Sequence, residues 1–125
     1  MHATVVPLLA RIMLAALFII AGFNKLNNVA GTAGYLGKLG VPSPGLVVWA
    51  VIAVELVGGL LVVIGWKTRW VAWGMAIFTL ITAVLGHAFW NDPSQTTQFL
   101  KNLAIMGGFL MLAVAGPGQL SADRR

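Results

Sequence analysis

Cysteine is absent from this 125-residue chain, which excludes disulfides, thiolate nucleophiles, thiolate zinc sites and cysteine-held iron–sulfur clusters. Any redox role must run through a borrowed cofactor rather than an intrinsic one. Acidic residues are almost as scarce: Glu55, Asp92 and Asp123 stand against eight Lys and Arg, for a net charge of +5. Histidine occurs only as His2 and His87, expected on opposite sides of a membrane, so neither a bis-histidine haem within one chain nor a three-ligand metal site is visible. Charged residues make up 9% of the sequence and apolar ones 59%, with a mean hydropathy of +0.92. That is too little polar surface to cover a water-soluble domain. The basic residues are dispersed rather than gathered on one helix, which argues against nucleic acid and for charge that sets membrane orientation. Gly116-Pro117-Gly118 lacks the strand, helix and lysine of a phosphate loop and reads as a helix stop.

What is present in quantity is long apolar runs. Four of them, residues 5–23, 45–65, 70–90 and 99–116, are each long enough to cross a hydrocarbon core about 30 Å thick at about 1.5 Å per residue. Backbone groups in lipid must be satisfied within a segment or in a closed barrel, and these runs lack strand-like alternation. They therefore predict an all-α, integral membrane four-helix transmembrane bundle forming a single domain over residues 1–125. The N-terminal run lacks a basic leader, is interrupted by Arg11 and shows no convincing cleavage site, so it reads as a retained span. Residues 24–44 form a polar, Gly-rich connection whose middle, with Tyr35, Leu36 and Leu39, suits a short interfacial helix, stopped by Pro42 and Pro44. Trp66 to Arg69 is a tight turn making spans two and three antiparallel neighbours. Asp92-Pro93-Ser94 fits a helix start, and Ser121 to Arg125 reads as a short charged tail. With four spans both termini share a side. That side holds Lys67, Arg69, Arg124 and Arg125, with Arg11 near its surface, against Lys25, Lys38 and Lys101 on the other, a bias that favours cytoplasmic termini.

The polar residues inside the spans are the candidates for function. Glu55 lies near the middle of span two, where an ionised carboxylate costs about 3 kcal/mol and needs protein, water or a counter-charge beside it. Helical periodicity aligns Arg11, Ala15, Phe18, Gly22 and Lys25 on one stripe, and Val48, Val51, Glu55, Gly59 and Val62 on another. It places His87 in line with Ala83, Leu80, Ala76 and Trp73, and Lys101 in line with Gly108, Leu112 and Ala115. Measured from the end that carries the termini, Arg11 lies roughly 9 Å deep and Glu55 roughly 16 Å. These depths predict an Arg11–Glu55 pair below a mouth lined by His87, Lys101 and Asn102, with Asn24 and Lys25 lying near them toward the face opposite the termini. The simpler readings are an ion pair that only fixes helix register, a headgroup-level histidine, snorkelling lysines and a helix-capping Asp92.

Several stretches, taken in order, are similar to the DoxX family of small bacterial membrane proteins. They are the first-span arginine with Gly22 to Leu26 (GFNKL), the glutamate followed by small residues, the turn at Gly65 to Arg69, Gly86 to Trp90 (GHAFW), Lys101-Asn102 and the GPG ending. The resemblance implies a multi-pass protein of the bacterial inner membrane, in a family tied by name or association to quinol oxidases, thiosulfate:quinone oxidoreduction and oxidative stress. It maps the family's polar positions onto Arg11, Lys25, Glu55, His87, Lys101 and Asn102. The first expectation is thus a quinone-associated subunit. In it Glu55 and His87 handle protons, while Arg11, Lys25, Lys101 and Asn102 bind the ligand, and a membrane redox partner supplies electrons. A non-enzymatic scaffold is a second reading, and a small-solute permease acting as a homo-oligomer a third.

Overall fold

The computed structural model describes residues 2–123; Arg124 and Arg125, counted above for orientation, lie outside the described residues, as does the side chain of His2. Five α-helices and one short 3-10 turn make up the fold: α1 His2–Leu26, α2 Val29–Lys38, α3 Pro44–Ile64, α4 Thr68–Gly86, the 3-10 turn Pro93–Gln95, and α5 Thr96–Ala115. Among the described residues there is no strand. The helices α1, α3, α4 and the stretch ending in α5 are each long and apolar enough to cross a membrane. Between the first two spans, where a short helix is expected, lies α2, which buries none of its residues. Asn28 starts it by accepting a hydrogen bond from the Gly31 N–H. Asp92 likewise accepts from Ser94 and opens the 3-10 turn that leads into α5.

Packing is tightest within two helix pairs, α1 against α3 and α4 against α5, while α3 and α4 touch over a smaller area although the turn between them is short. The pairs meet in a core of Ala15, Phe18, Val62, Ala72, Met75, Ala76, Phe109, Leu112 and Ala113. Phe18 stands at its centre, its ring 5.6 Å from that of Phe109 and 6.3 Å from that of Phe78. Large apolar side chains such as Leu46, Met13 and Val114 point outward, the arrangement expected when lipid rather than water surrounds the bundle. The stripes expected on spans one and two are the buried ones. On α4 the buried face is Ala72, Ala76, Thr79 and Ala83, with Leu80 and Trp73 exposed. Thr79 can face inward because its hydroxyl donates to the Met75 carbonyl at 2.7 Å, so the small residues of α4 pack and the large ones meet lipid.

Close approach of α1 and α3 depends on Gly22. A Cβ there would lie 2.9 Å from Leu56 Cγ and 3.1 Å from Glu55 Cβ. We expect Gly22→Ala to cost about 1–3 kcal/mol through overpacking, read as a lower thermal unfolding midpoint in detergent. Gly34→Ala on α2, where a Cβ meets nothing within 4 Å, gains up to about 1 kcal/mol from helix propensity. Equal midpoints for the two variants would contradict the close packing.

The described part of the tail, through Asp123, folds back onto the end of the bundle that carries the α3–α4 turn. The Ala122 and Asp123 N–H groups donate to the carbonyls of Ile64 and Gly65, each at 2.9 Å. The Asp123 carboxylate accepts from the Lys67 and Thr68 N–H groups at 2.9 and 2.8 Å. Lys67 cannot cap α4 with its own side chain, so the cap comes from more than fifty residues further along the chain.

Candidate functional site

Arg11 and Glu55 do not meet. Arg11 is fully buried and belongs to the end of the bundle closed by the tail. Its Nη1 donates to the carbonyls of Val62 (3.2 Å) and Val63 (2.6 Å), and its Nη2 to that of Leu120. It satisfies carbonyls that the end of α3 leaves without helical partners. The expected Arg11–Glu55 pair is thereby corrected, and the reason is helix register. Arg11 packs beside Gly65 and Ile19 beside Gly59, while Gly22 faces Leu56 and Glu55. Glu55 therefore lies level with the last turns of α1, where Lys25 is.

Glu55, 5% exposed, pairs with Lys25. Its Oε1 and Oε2 lie 2.9 and 3.2 Å from Nζ. The hydrogen bond runs to Oε2; Oε1 is near the ammonium but off the donor direction, so this buried oxygen keeps its accepting capacity. Lys25 reaches the carboxylate because Gly22, one turn earlier on the same face, lets α1 lie close against α3.

The pair forms part of the wall of a cavity of about 520 Å³ between the helices, on the side of the bundle where α2 lies. That volume suits an organic ligand of ring size or larger. Lys25, Glu55, His87, Lys101 and Asn102, five of the seven polar residues singled out in the sequence, line it; Arg11 and Asn24 do not. The His87 Nδ1 lies 2.8 Å from Gln95 Oε1 in the turn before α5, which orients the imidazole. Asn102 donates to the Thr82 hydroxyl at 3.5 Å, and Thr82 in turn to the Thr79 carbonyl at 2.9 Å. The remaining wall is largely apolar, from Leu17, Phe18, Val47, Val51, Phe78 and Ile105.

Helix α2 adds residues that sequence reasoning left out of the site. Thr32, Tyr35, Leu36 and Leu39 line the cavity, and the Tyr35 hydroxyl donates to the Gly86 carbonyl at 3.4 Å, joining α2 to the end of α4. The signal for them is present in the sequence as the spacing of Thr32, Leu36 and Leu39 on one helical face. The polar Thr79, Thr82 and Gln98 are common residue types in apolar helices and carried no such signal.

Four apolar helices around a largely apolar cavity that holds a few polar side chains define a multi-pass integral membrane protein. Its sequence matches the DoxX family over residues 6–88, and the chain belongs to that family. It is 45% identical to inner membrane protein YqjF of Escherichia coli (strain K12), over 94% of this chain and 88% of that protein. It is 40% identical to inner membrane protein YphA of the same organism, over 97% of this chain and 90% of that protein. These relatives, with the four apolar helices, make it a multi-pass inner-membrane protein. A more partial likeness, 36% over 62% of this chain and 56% of the relative, is to a Bacillus subtilis (strain 168) protein named "Putative oxidoreductase CatD". No solved structure matches the chain.

Proposed function

We propose that the cavity binds the ring of a lipid-soluble quinone and that the protein acts as a quinone-associated, redox- or oxidative-stress-linked subunit of a larger membrane system. The observation that carries this reading is one cavity whose largely apolar wall also holds Lys25, Glu55, His87, Lys101 and Asn102. A lipid-soluble ring on an isoprenoid tail needs both parts. The buried Glu55 Oε1, without a hydrogen bond of its own, is an acceptor waiting in that wall.

A bound quinone supplies two-electron, two-proton redox chemistry. The residues of this chain bind and orient its ring. Lys101 and Asn102 present N–H donors to a ring carbonyl, His87 is held by Gln95 at the same end, and Glu55 with Lys25 can hold or pass a proton. Electrons come from a partner subunit. The name of the CatD relative supports a redox role.

The orientation we infer has both termini in the cytoplasm, because Arg11, Lys67 and Arg69 gather at the end of the bundle carrying the tail. Lys25, at the other end, is paired with Glu55. Cysteine introduced at Ala122 should react with a membrane-impermeant maleimide only from the cytoplasm, and at Ser94 only from the opposite side. The reverse pattern would invert the bundle.

The test of the ligand is mass spectrometry of the organic extract from detergent-purified protein, wild type beside His87→Ala and Lys101→Met. We expect near-stoichiometric quinone in the wild type and about tenfold less in each variant, since losing one polar contact to the ring weakens binding by about 1.5 kcal/mol. A wild-type extract without quinone, from protein that also fails to take up added quinone, would turn the reading to a scaffold.

A further inference from the structure

The end of the bundle farthest from the ligand cavity carries a second, smaller cavity of about 210 Å³, lined by Lys67, Thr68, Arg69, Trp70, Pro117 and Asp123. The sequence there, Trp66-Lys67-Thr68-Arg69-Trp70, sets two cations between two tryptophans at the junction of two spans. We propose that this pocket binds the phosphodiester of an anionic membrane phospholipid, with Lys67 and Arg69 holding the phosphate and Trp66 and Trp70 lying against the glycerol and the first carbons of the acyl chains.

Both cations are exposed yet held against the protein by a specific contact. The Lys67 ammonium lies 5.2 Å from the centre of the Trp66 ring. Arg69 donates through Nη1 to the carbonyls of Ala113 and Val114, at 3.3 and 2.8 Å. Both bonds run from the same nitrogen and hold the guanidinium against the end of α5, and a phosphate binds best to a guanidinium already held in place. Thr68 stands in the same wall, fully buried, with a hydroxyl that has no hydrogen-bond partner among the described residues. Asp123 is the one acidic group lining the pocket among the described residues; its two oxygens accept the first N–H groups of α4, which offsets part of its charge. The formal balance of the lining, two cations against one carboxylate, leaves room for a monoanion.

The tryptophans argue for a lipid rather than a free phosphate ion. Trp70 is 82% exposed and Trp66 48%, and indoles at a span junction sit at headgroup level. A soluble anion would leave both unused, whereas a phospholipid brings its own apolar part to them. Basic pockets of this kind between spans are suited to anionic headgroups.

The test uses the full-length protein, delipidated in detergent, in native mass spectrometry with phosphatidylglycerol and phosphatidylcholine of identical acyl chains. We expect one phosphatidylglycerol per chain retained under activation that strips phosphatidylcholine. Lys67→Gln and Arg69→Gln should each lower retention about fivefold, the worth of one cation near an anionic surface. Arg69→Lys should keep more than Arg69→Gln, and Lys38→Gln, at the other end of the bundle, should change nothing. Because Arg69 also ties α4 to α5, Lys67→Gln keeps the test decisive if Arg69→Gln fails to fold. Equal retention of the two lipids, or an equal loss in Lys38→Gln, would reduce the effect to bulk charge and overturn the site. Displacement of phosphatidylglycerol by an equal concentration of inorganic phosphate would assign the pocket to a soluble anion and overturn the lipid.

Discussion

Arg11→Met loses on the order of 3–5 kcal/mol of stability, enough to unfold a bundle of ordinary marginality. Arg11 is a fully buried guanidinium that ties the last turn of α3 to the returning tail through the carbonyls of Val62, Val63 and Leu120. Hydrogen bonds from a charged donor are worth about 1.5–3 kcal/mol each, and removing the donor orphans several carbonyls at once. Methionine fills part of the volume and supplies no donor. Arg11→Lys should recover only part of the loss, since a single ammonium cannot span carbonyls on two segments as the guanidinium fork does. The measurement is the thermal midpoint in detergent, with quinone content scored per folded molecule. Because Arg11 does not line the cavity, any quinone bound there should stay with the protein that remains folded. A folded Arg11→Met that has lost its ligand would place Arg11 in the site after all.

Lys25→Met is the second large effect, about 3–5 kcal/mol, because it leaves the carboxylate of Glu55 buried without its counter-charge. Glu55→Gln removes the charge but keeps an amide that can still accept from Lys25, which is 30% exposed at its side chain and can turn outward. It should be the milder change. Replacing both, Lys25→Met with Glu55→Leu, removes the buried charge altogether. Such apolar replacement of an ion pair is commonly neutral or stabilising. Thermal midpoints should therefore rank wild type and the double variant together, Glu55→Gln below them, and Lys25→Met lowest. A double variant as unstable as Lys25→Met would mean that the cost lies in packing, not charge.

Much of this was legible before the structure. The four spans, the short helix between the first two and the Asp92 start follow from apolar run length, proline and capping chemistry, which are local. The inward stripe of α1, from Arg11 through Ala15, Phe18 and Gly22 to Lys25, was legible because helical periodicity alone fixes it. Which residues face each other across two helices is not local. Rise per residue gave Arg11 and Glu55 similar depths only on the assumption that α1 and α3 begin and end level. Gly22 and Gly59 instead set a register that brings Lys25 to Glu55 and Arg11 to the end of α3. The face of α4 was misjudged for a related reason. A line drawn back from His87 ran through Leu80 and Trp73, but His87 lies one residue beyond the helix and does not share its phase. Nothing in the tail announced that Asp123 caps a helix more than fifty residues earlier; the only hint was that Lys67 is a poor cap for α4.

The central claim is that the Lys25–Glu55 pair serves a ligand and not only the packing of α1 on α3. It is tested most directly by quinone content per chain in the Lys25→Met, Glu55→Leu double variant, measured by mass spectrometry beside wild type at matched thermal stability. The account predicts a folded, stable double variant that carries about a tenth of the wild-type quinone or less, since two polar contacts have gone. Wild-type quinone content in that variant would contradict it and leave the pair a structural device.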